Sequence, residues 1–192
     1  MKGVLLNSLL PYFAQVPALA ALPDDARRHL DRISEQRQYR RRQVVHFPDQ
    51  QGDCVYLLCG GRVKISRVSE QGREVTLQIL EGPALFGEMG LVEGCDHYDL
   101  MAETLDDSLI AVLRGTELLA DVKKCPAAVW ELLKLMSDRR AEAEAQLADQ
   151  IFLEVPKRVA KLLLRLHDTT STVSRGSLLS KSKMTHQELA NM

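Results

Sequence analysis

Long apolar runs are missing from this 192-residue chain, and none reaches the roughly 20 consecutive apolar residues that cross a bilayer. The apolar opening, Met1 to Ala21, is interrupted by Asn7, Ser8, Pro11, Gln15 and Pro17, so it lacks the unbroken centre of a secretion leader. It is expected instead as a short helix that sets Phe13, Val16, Leu19 and Leu22 on a core. Cysteine is scarce: Cys54, Cys59, Cys95 and Cys125 form no CxxC pair and have no metal-ligand spacing. That excludes a zinc ribbon, predicts no metal site, and suits reduced, buried thiols in a cytoplasmic protein. Cations are absent from one long window. No Lys or Arg occurs between Arg73 and Arg114, a segment that carries nine carboxylates: Glu74, Glu81, Glu88, Glu93, Asp96, Asp99, Glu103, Asp106 and Asp107. Burying an anion in such a segment is costly, because a desolvated charge needs a paired charge.

What is present is an ordinary globular composition, 45% apolar and 27% charged. The net charge of −1 hides an asymmetry. Residues 155–192 hold seven Lys and Arg against Asp168 and Glu188, whereas residues 1–154 hold 18 basic and 24 acidic residues. An acidic body with a basic tail fits a nucleic-acid contact at one end, and it fits a solvated basic helix face equally well.

Along the chain, Asp24 and Asp25 start a short helix over residues 24–36, with Ala26, Leu30 and Ile33 on one face. Short strands follow. Val44–Phe47 ends in the Pro48-Asp49 turn, and Val55–Leu58 ends in the Gly60-Gly61 turn. Val63–Val68 alternates with period two, and Gln71-Gly72 turns it into Val75–Ile79; Leu109–Leu113 is the last clear strand. Short strands separated by turn signals predict a double-stranded β-helix, or jelly roll. From Pro126 the period becomes helical. Val129, Leu133, Met136, Arg140, Ala143, Leu147 and Gln150 recur at alternating steps of four and three, a heptad stripe with two polar breaks. Such a stripe pairs two long helices, parallel or antiparallel, and predicts a homodimer through Val129, Leu133, Met136, Ala143 and Leu147. Pro156 opens a further helix over 157–167, where its missing N–H costs nothing. Residues 168–183 read as loop with a short strand at Ser177–Leu179. Thr185-His186-Gln187-Glu188 is a capping box that begins a helix at the end of the chain.

This order of elements resembles the Crp/Fnr superfamily of transcription regulators, and the resemblance covers nearly the whole chain. Tyr56-Leu57-Leu58-Cys59-Gly60-Gly61-Arg62-Val63-Lys64 is similar to the family's strand–glycine–strand signature, and Gly72-Arg73-Glu74-Val75-Thr76-Leu77 to its hairpin. Phe86-Gly87-Glu88-Met89-Gly90-Leu91 is similar to its effector cassette, and Phe152–Ala160 to the entry of its DNA-binding domain. Thr185-His186-Gln187-Glu188-Leu189-Ala190 is similar to the first helix of its helix-turn-helix. The implied fold class is α+β: a jelly-roll sensor domain over 1–125, a dimerisation helix over 126–154, and part of a winged helix-turn-helix over 155–192. DNA contacts would come from Lys181, Thr185 and His186, assisted by Lys157, Arg158 and Lys161. The helix that enters the major groove is the second of that motif. The 192 residues are therefore expected to keep dimerisation and sensing and to lack sequence-specific base readout.

The resemblance implies an effector site at Gly87, Glu88, Met89, His97 and Tyr98, with Arg139 and Arg140 contributed by the long helix. The cassette's short helix aims free N–H groups at an anion. Cyclic-nucleotide-binding relatives add an Arg-Ser or Arg-Thr pair about ten residues later, where this chain reads Cys95-Asp96-His97-Tyr98-Asp99-Leu100. Their adenine-recognising hydroxyls correspond to Ala143 and Glu144. Binding of cAMP is therefore not expected, and the effector stays unidentified. Haem is the alternative cofactor, with His97 or Cys95 as its ligand; an N-terminal cysteine cluster for iron–sulfur is lacking. A catalytic cupin would need a His-x-His pair, but the roll carries only His46 and His97, far apart, so no enzyme is expected. A cyclic-nucleotide regulatory module of a channel or kinase is opposed by the missing Arg and by the capped helix that follows the dimer helix.

Overall fold

The computed structural model describes residues 7–91, 97–161 and 164. Three short helices come first: α1 (Leu10–Phe13), α2 (Pro17–Ala20) and α3 (Asp24–Ile33). Eight strands follow: β1 (Glu35–Tyr39), β2 (Val44–His46), β3 (Cys54–Gly60), β4 (Arg62–Val68), β5 (Glu74–Glu81), β6 (Ala84–Phe86), β7 (Met101–Thr104) and β8 (Ser108–Arg114). A 3-10 turn, Glu88–Leu91, separates β6 from β7, and α4 (Gly115–Val122) and α5 (Pro126–Phe152) follow β8. The strands make two four-stranded antiparallel sheets, ordered β1-β8-β3-β6 and β2-β7-β4-β5, which is the expected jelly roll.

Two cores hold the roll. Tyr56, Leu58 and Ile110 from the first sheet meet Val63, Ile65 and Ala102 from the second, forming the interior between the sheets. On the first sheet's other face, Val55, Leu57, Ala111 and Leu113 pack against Phe13, Leu19, Leu30, Leu118 and the first turn of α5 at Ala128. Strand β3 is therefore buried on both faces. This is why Val55-Tyr56-Leu57-Leu58 is a continuous apolar run instead of an alternating one. Gly61, between β3 and β4, has φ +93, and a Cβ there would collide with Ser108 Oγ, so only glycine fits the turn. Arg62 at the start of β4 donates twice to Asp106, at 2.5 and 3.1 Å, tying the β7–β8 turn to the hairpin.

Several expectations change. The α3 helix stops at Ile33: Ser34 takes an extended ψ of 138, and its hydroxyl donates to the Leu30 carbonyl. Residues 35–39 then form β1, an edge strand of which only Tyr39 is buried, so its sequence reads as polar. Strand β7 and helix α4 carried no signal strong enough to register. The single N-terminal helix is two, α1 and α2, and Phe13, Val16, Leu19 and Leu22 are all buried as expected. Only Cys59 of the described thiols is fully buried; Cys54 and Cys125 are half-buried.

The chain divides into two compact units, Met1–Leu135 and Met136–Met192, and the division falls within α5. In the second unit, residues 155–161 are helical, and the Glu154 carbonyl accepts from both Lys157 and Arg158. Pro156 thus sits in the first turn, where no N–H is needed. The expected strand at 177–179 and the capping box at Thr185 lie outside the described residues.

Candidate effector site

The cassette is positioned by β6. Phe86 sits opposite Tyr56 of β3, and their rings stack at 5.1 Å. Gly87 then turns the chain with φ +74; a Cβ there would lie 2.9 Å from Tyr56 Cδ2, so the turn demands glycine twice over. Glu88 opens the 3-10 turn half-buried, and Met89 is exposed. From the opposite sheet, His46 of β2 stacks on Tyr98 at 4.0 Å and reaches Tyr56 at 5.5 Å and Phe86 at 6.2 Å. Four rings therefore bridge the two sheets at the cassette end of the interior. Tyr98 is pinned on all sides. Its backbone N–H donates to Gln50 and its carbonyl accepts from Asp49. Its hydroxyl donates to the Cys54 carbonyl at 2.6 Å and accepts from the Cys54 N–H at 3.2 Å.

The electrostatics of this interior favour neutral groups. Burial pulls the His46 imidazole down to about 4, against the bond it donates to the Leu100 carbonyl, so the ring is uncharged near neutrality. Its Nδ1 is buried with no hydrogen-bond partner among the described residues. Burial also raises the phenols of Tyr56 and Tyr98, and it pushes the Cys54 thiol up to about 11. Lys64 is the one buried cation among the described residues. Although burial opposes its charge, Glu74 at 2.7 Å and Glu103 at 3.3 Å hold its pKa above the ordinary lysine value.

The sequence-predicted residues divide into two groups. Gly87, Glu88, Met89 and Tyr98 belong to one end of the roll, and His97 is exposed beside them, in an isolated bridge with Gln51. Arg139, half-buried, and Arg140, exposed and 3.3 Å from Glu144, belong to the second unit. Cys95 and the DNA-contact candidates Lys181, Thr185 and His186 lie outside the described residues. Val129, Leu133, Ala143 and Leu147 are exposed along α5, and Met136 is half-buried. The sequence reading missed the part played by His46, Tyr56 and Phe86. Tyr56 was read only as part of the strand–glycine–strand signature, Phe86 only as the first residue of the cassette, and His46 only as a strand residue and a failed metal ligand. The usable signal was a histidine at the end of an otherwise apolar strand.

Residues 36–124 match the family model described as the cyclic nucleotide-binding domain. The chain is 30% identical over 154 residues to a "CRP-like cAMP-activated global transcriptional regulator" of Mycobacterium tuberculosis, an alignment covering 78% of this chain and 66% of that protein. It therefore spans just under two thirds of that relative's length. It is 26% identical over 155 residues to the "Global nitrogen regulator" of a Nostoc species, covering 79% of this chain and 69% of the relative. Among solved structures, the c-di-GMP responsive global regulator CLP of Xanthomonas campestris superposes with a TM-score of 0.68 at 21% identity, covering 83% of this chain and 79% of that one. At that identity the likeness concerns the fold alone. The matched domain, these relatives and the closed antiparallel roll with its glycine-turned cassette together place this chain in the Crp/Fnr superfamily.

Proposed function

We propose that this chain is the sensing and dimerising portion of a DNA-binding transcription regulator, with no catalytic role of its own. Residues 1–125 form the sensor, 126–154 the dimer helix, and 155–192 the start of a winged helix-turn-helix. The apolar stripe of α5 supports the dimer: Leu133 is 55% and Leu147 59% exposed, an arrangement a soluble helix sustains by pairing. Lys157, Arg158 and Lys161 supply a weak phosphate contact. Lys161 is already shared with Asp149 at 2.6 Å, which limits that contribution.

The effector of this roll is a small molecule other than cAMP, and the observation that carries this reading is that the buried cation among the described residues is already taken up by carboxylates. The one described buried cation, Lys64, is held between two carboxylates, and the cassette window contributes none. A cyclic phosphate would be desolvated without a counter-charge. Titrating cAMP into the protein in a calorimeter tests the reading, with no binding expected at physiological concentrations. Micromolar affinity would overturn it and point to Arg139 or Arg140 as the phosphate partner. No cofactor is assigned, and the purified protein is expected to show no Soret band.

A further inference from the structure

At the cassette end of the roll, His46 is 3% exposed, and its Nδ1 is buried without a hydrogen-bond partner among the described residues. The other ring nitrogen donates to the Leu100 carbonyl, and the ring is uncharged near neutrality, so Nδ1 is an acceptor. An unmet acceptor in a desolvated place carries a free-energy cost that a donor would remove. The neighbouring hydroxyls are engaged elsewhere: that of Tyr98 with the Cys54 backbone, and that of Tyr56 with Tyr98 at 3.5 Å. Around His46 the surroundings are aromatic. Tyr98, Tyr56 and Phe86 lie 4.0, 5.5 and 6.2 Å from it, with planes tilted by 25–29°. Tyr98 is the ring placed to give way. The other three stand on β2, β3 and β6, whereas Tyr98 follows an isolated bridge between Gln51 and His97. Its own phenol shows what this interior accepts, an uncharged ring with a hydroxyl.

We propose that this cluster binds a neutral aromatic molecule carrying one O–H or N–H donor, which packs among the rings as Tyr98 yields and donates to His46 Nδ1. The inference rests on the reading of the roll as a sensor of a molecule other than cAMP; it adds the chemical class of the effector and the residue that recognises it. Ring stacking and burial supply the attraction, and the donor selects one aromatic from another. An anionic ring is refused, because Lys64, the buried cation among the described residues, is held by Glu74 and Glu103.

The test titrates three probes of one shape into the 15N-labelled 192-residue chain and follows amide and imidazole resonances: phenol, its methyl ether anisole, and benzoate. Phenol is expected to bind with a Kd on the order of 1 mM, fair for so small a ligand. Anisole, which keeps the ring and loses the donor, should bind about tenfold more weakly, and benzoate should not bind. On adding phenol, the His46 Nδ1 resonance should move upfield as the nitrogen accepts a hydrogen bond. His46→Phe keeps a ring in place and should bind phenol and anisole alike. The comparison of phenol with anisole on the wild-type chain needs no variant, so it decides even if His46→Phe does not fold. Absence of phenol binding at 20-fold that concentration, about 20 mM, overturns the proposal, and so does equal binding of phenol and anisole by the wild type. If neither phenol nor cAMP binds, the chemical class is refuted while the exclusion of cAMP stands. If cAMP binds at micromolar concentration, the reading beneath the proposal fails, whatever phenol does.

Discussion

The interior of the roll and the outer face of α5 use apolar side chains in opposite ways. Between the sheets, Leu58, Val63 and Ile110 are completely buried and Phe86 nearly so, and the Tyr98 hydroxyl is turned on the Cys54 carbonyl. Along α5, Trp130, Leu147, Ile151 and Phe152 are between 59% and 80% exposed. The roll completes its hydrophobic burial within one chain; the helix does not. An apolar side chain stabilises only when something covers it, so the roll's contribution is intramolecular and the helix's depends on concentration.

Cutting into the roll should have the largest effect. Phe86→Ala removes a ring packed on Tyr56 and His46 and is expected to cost about 3–5 kcal/mol in chemical denaturation, whatever the protein concentration. Leu147→Ala, by contrast, should leave the stability of the dilute chain unchanged and shift only the midpoint measured at high concentration. Equal losses for the two variants would erase the distinction.

Placing carboxylates in the helix stripe comes next. Met136→Glu with Leu147→Glu should convert the dimer to monomer in sedimentation while near-ultraviolet circular dichroism keeps the signature of the folded roll. An unaltered dimer would mean that the stripe is not the seam.

Acid should separate the regions further. His46 has a folded pKa of about 4 against an ordinary 6.5, so the unfolded chain takes up the proton first. Stability is fully present above pH 6.5, falls as the pH drops through that window, and has lost about 3 kcal/mol from this group by pH 4. His46→Phe should flatten the profile of unfolding free energy between those limits. A slope that persists in the variant would assign it to other groups.

The smallest effect is expected at Tyr98. Tyr98→Phe keeps the ring but leaves the Cys54 N–H and carbonyl without the hydroxyl, a loss of about 1–2 kcal/mol in thermal unfolding. A neutral result would mean that water replaces the hydroxyl and that the ring alone closes this end of the roll.

The roll was legible where burial is one-sided or total. Val63–Val68 alternates because one face meets the interior, and Val55–Leu58 is continuous because both faces are covered. It was illegible at β1, where Glu35–Gln38 are polar and pairing with β8 is made by the backbone, which carries no residue code. The candidate site was half legible: Gly87 and its cassette stood out, whereas His46 did not, because no spacing rule connects it to residues forty or more positions away.

By itself the sequence determined the succession of roll and helix, the heptad stripe, the glycine turns and the poverty of cations around the cassette. These follow from local periodicity, backbone freedom and charge count, all of which are written residue by residue. Only the tertiary structure decided that His46, Tyr56, Phe86 and Tyr98 meet, that Lys64 is shared by Glu74 and Glu103, and that Tyr98 is locked to Cys54. Those contacts join positions from different strands and both sheets, and proximity of that kind is set by how the two sheets close on each other.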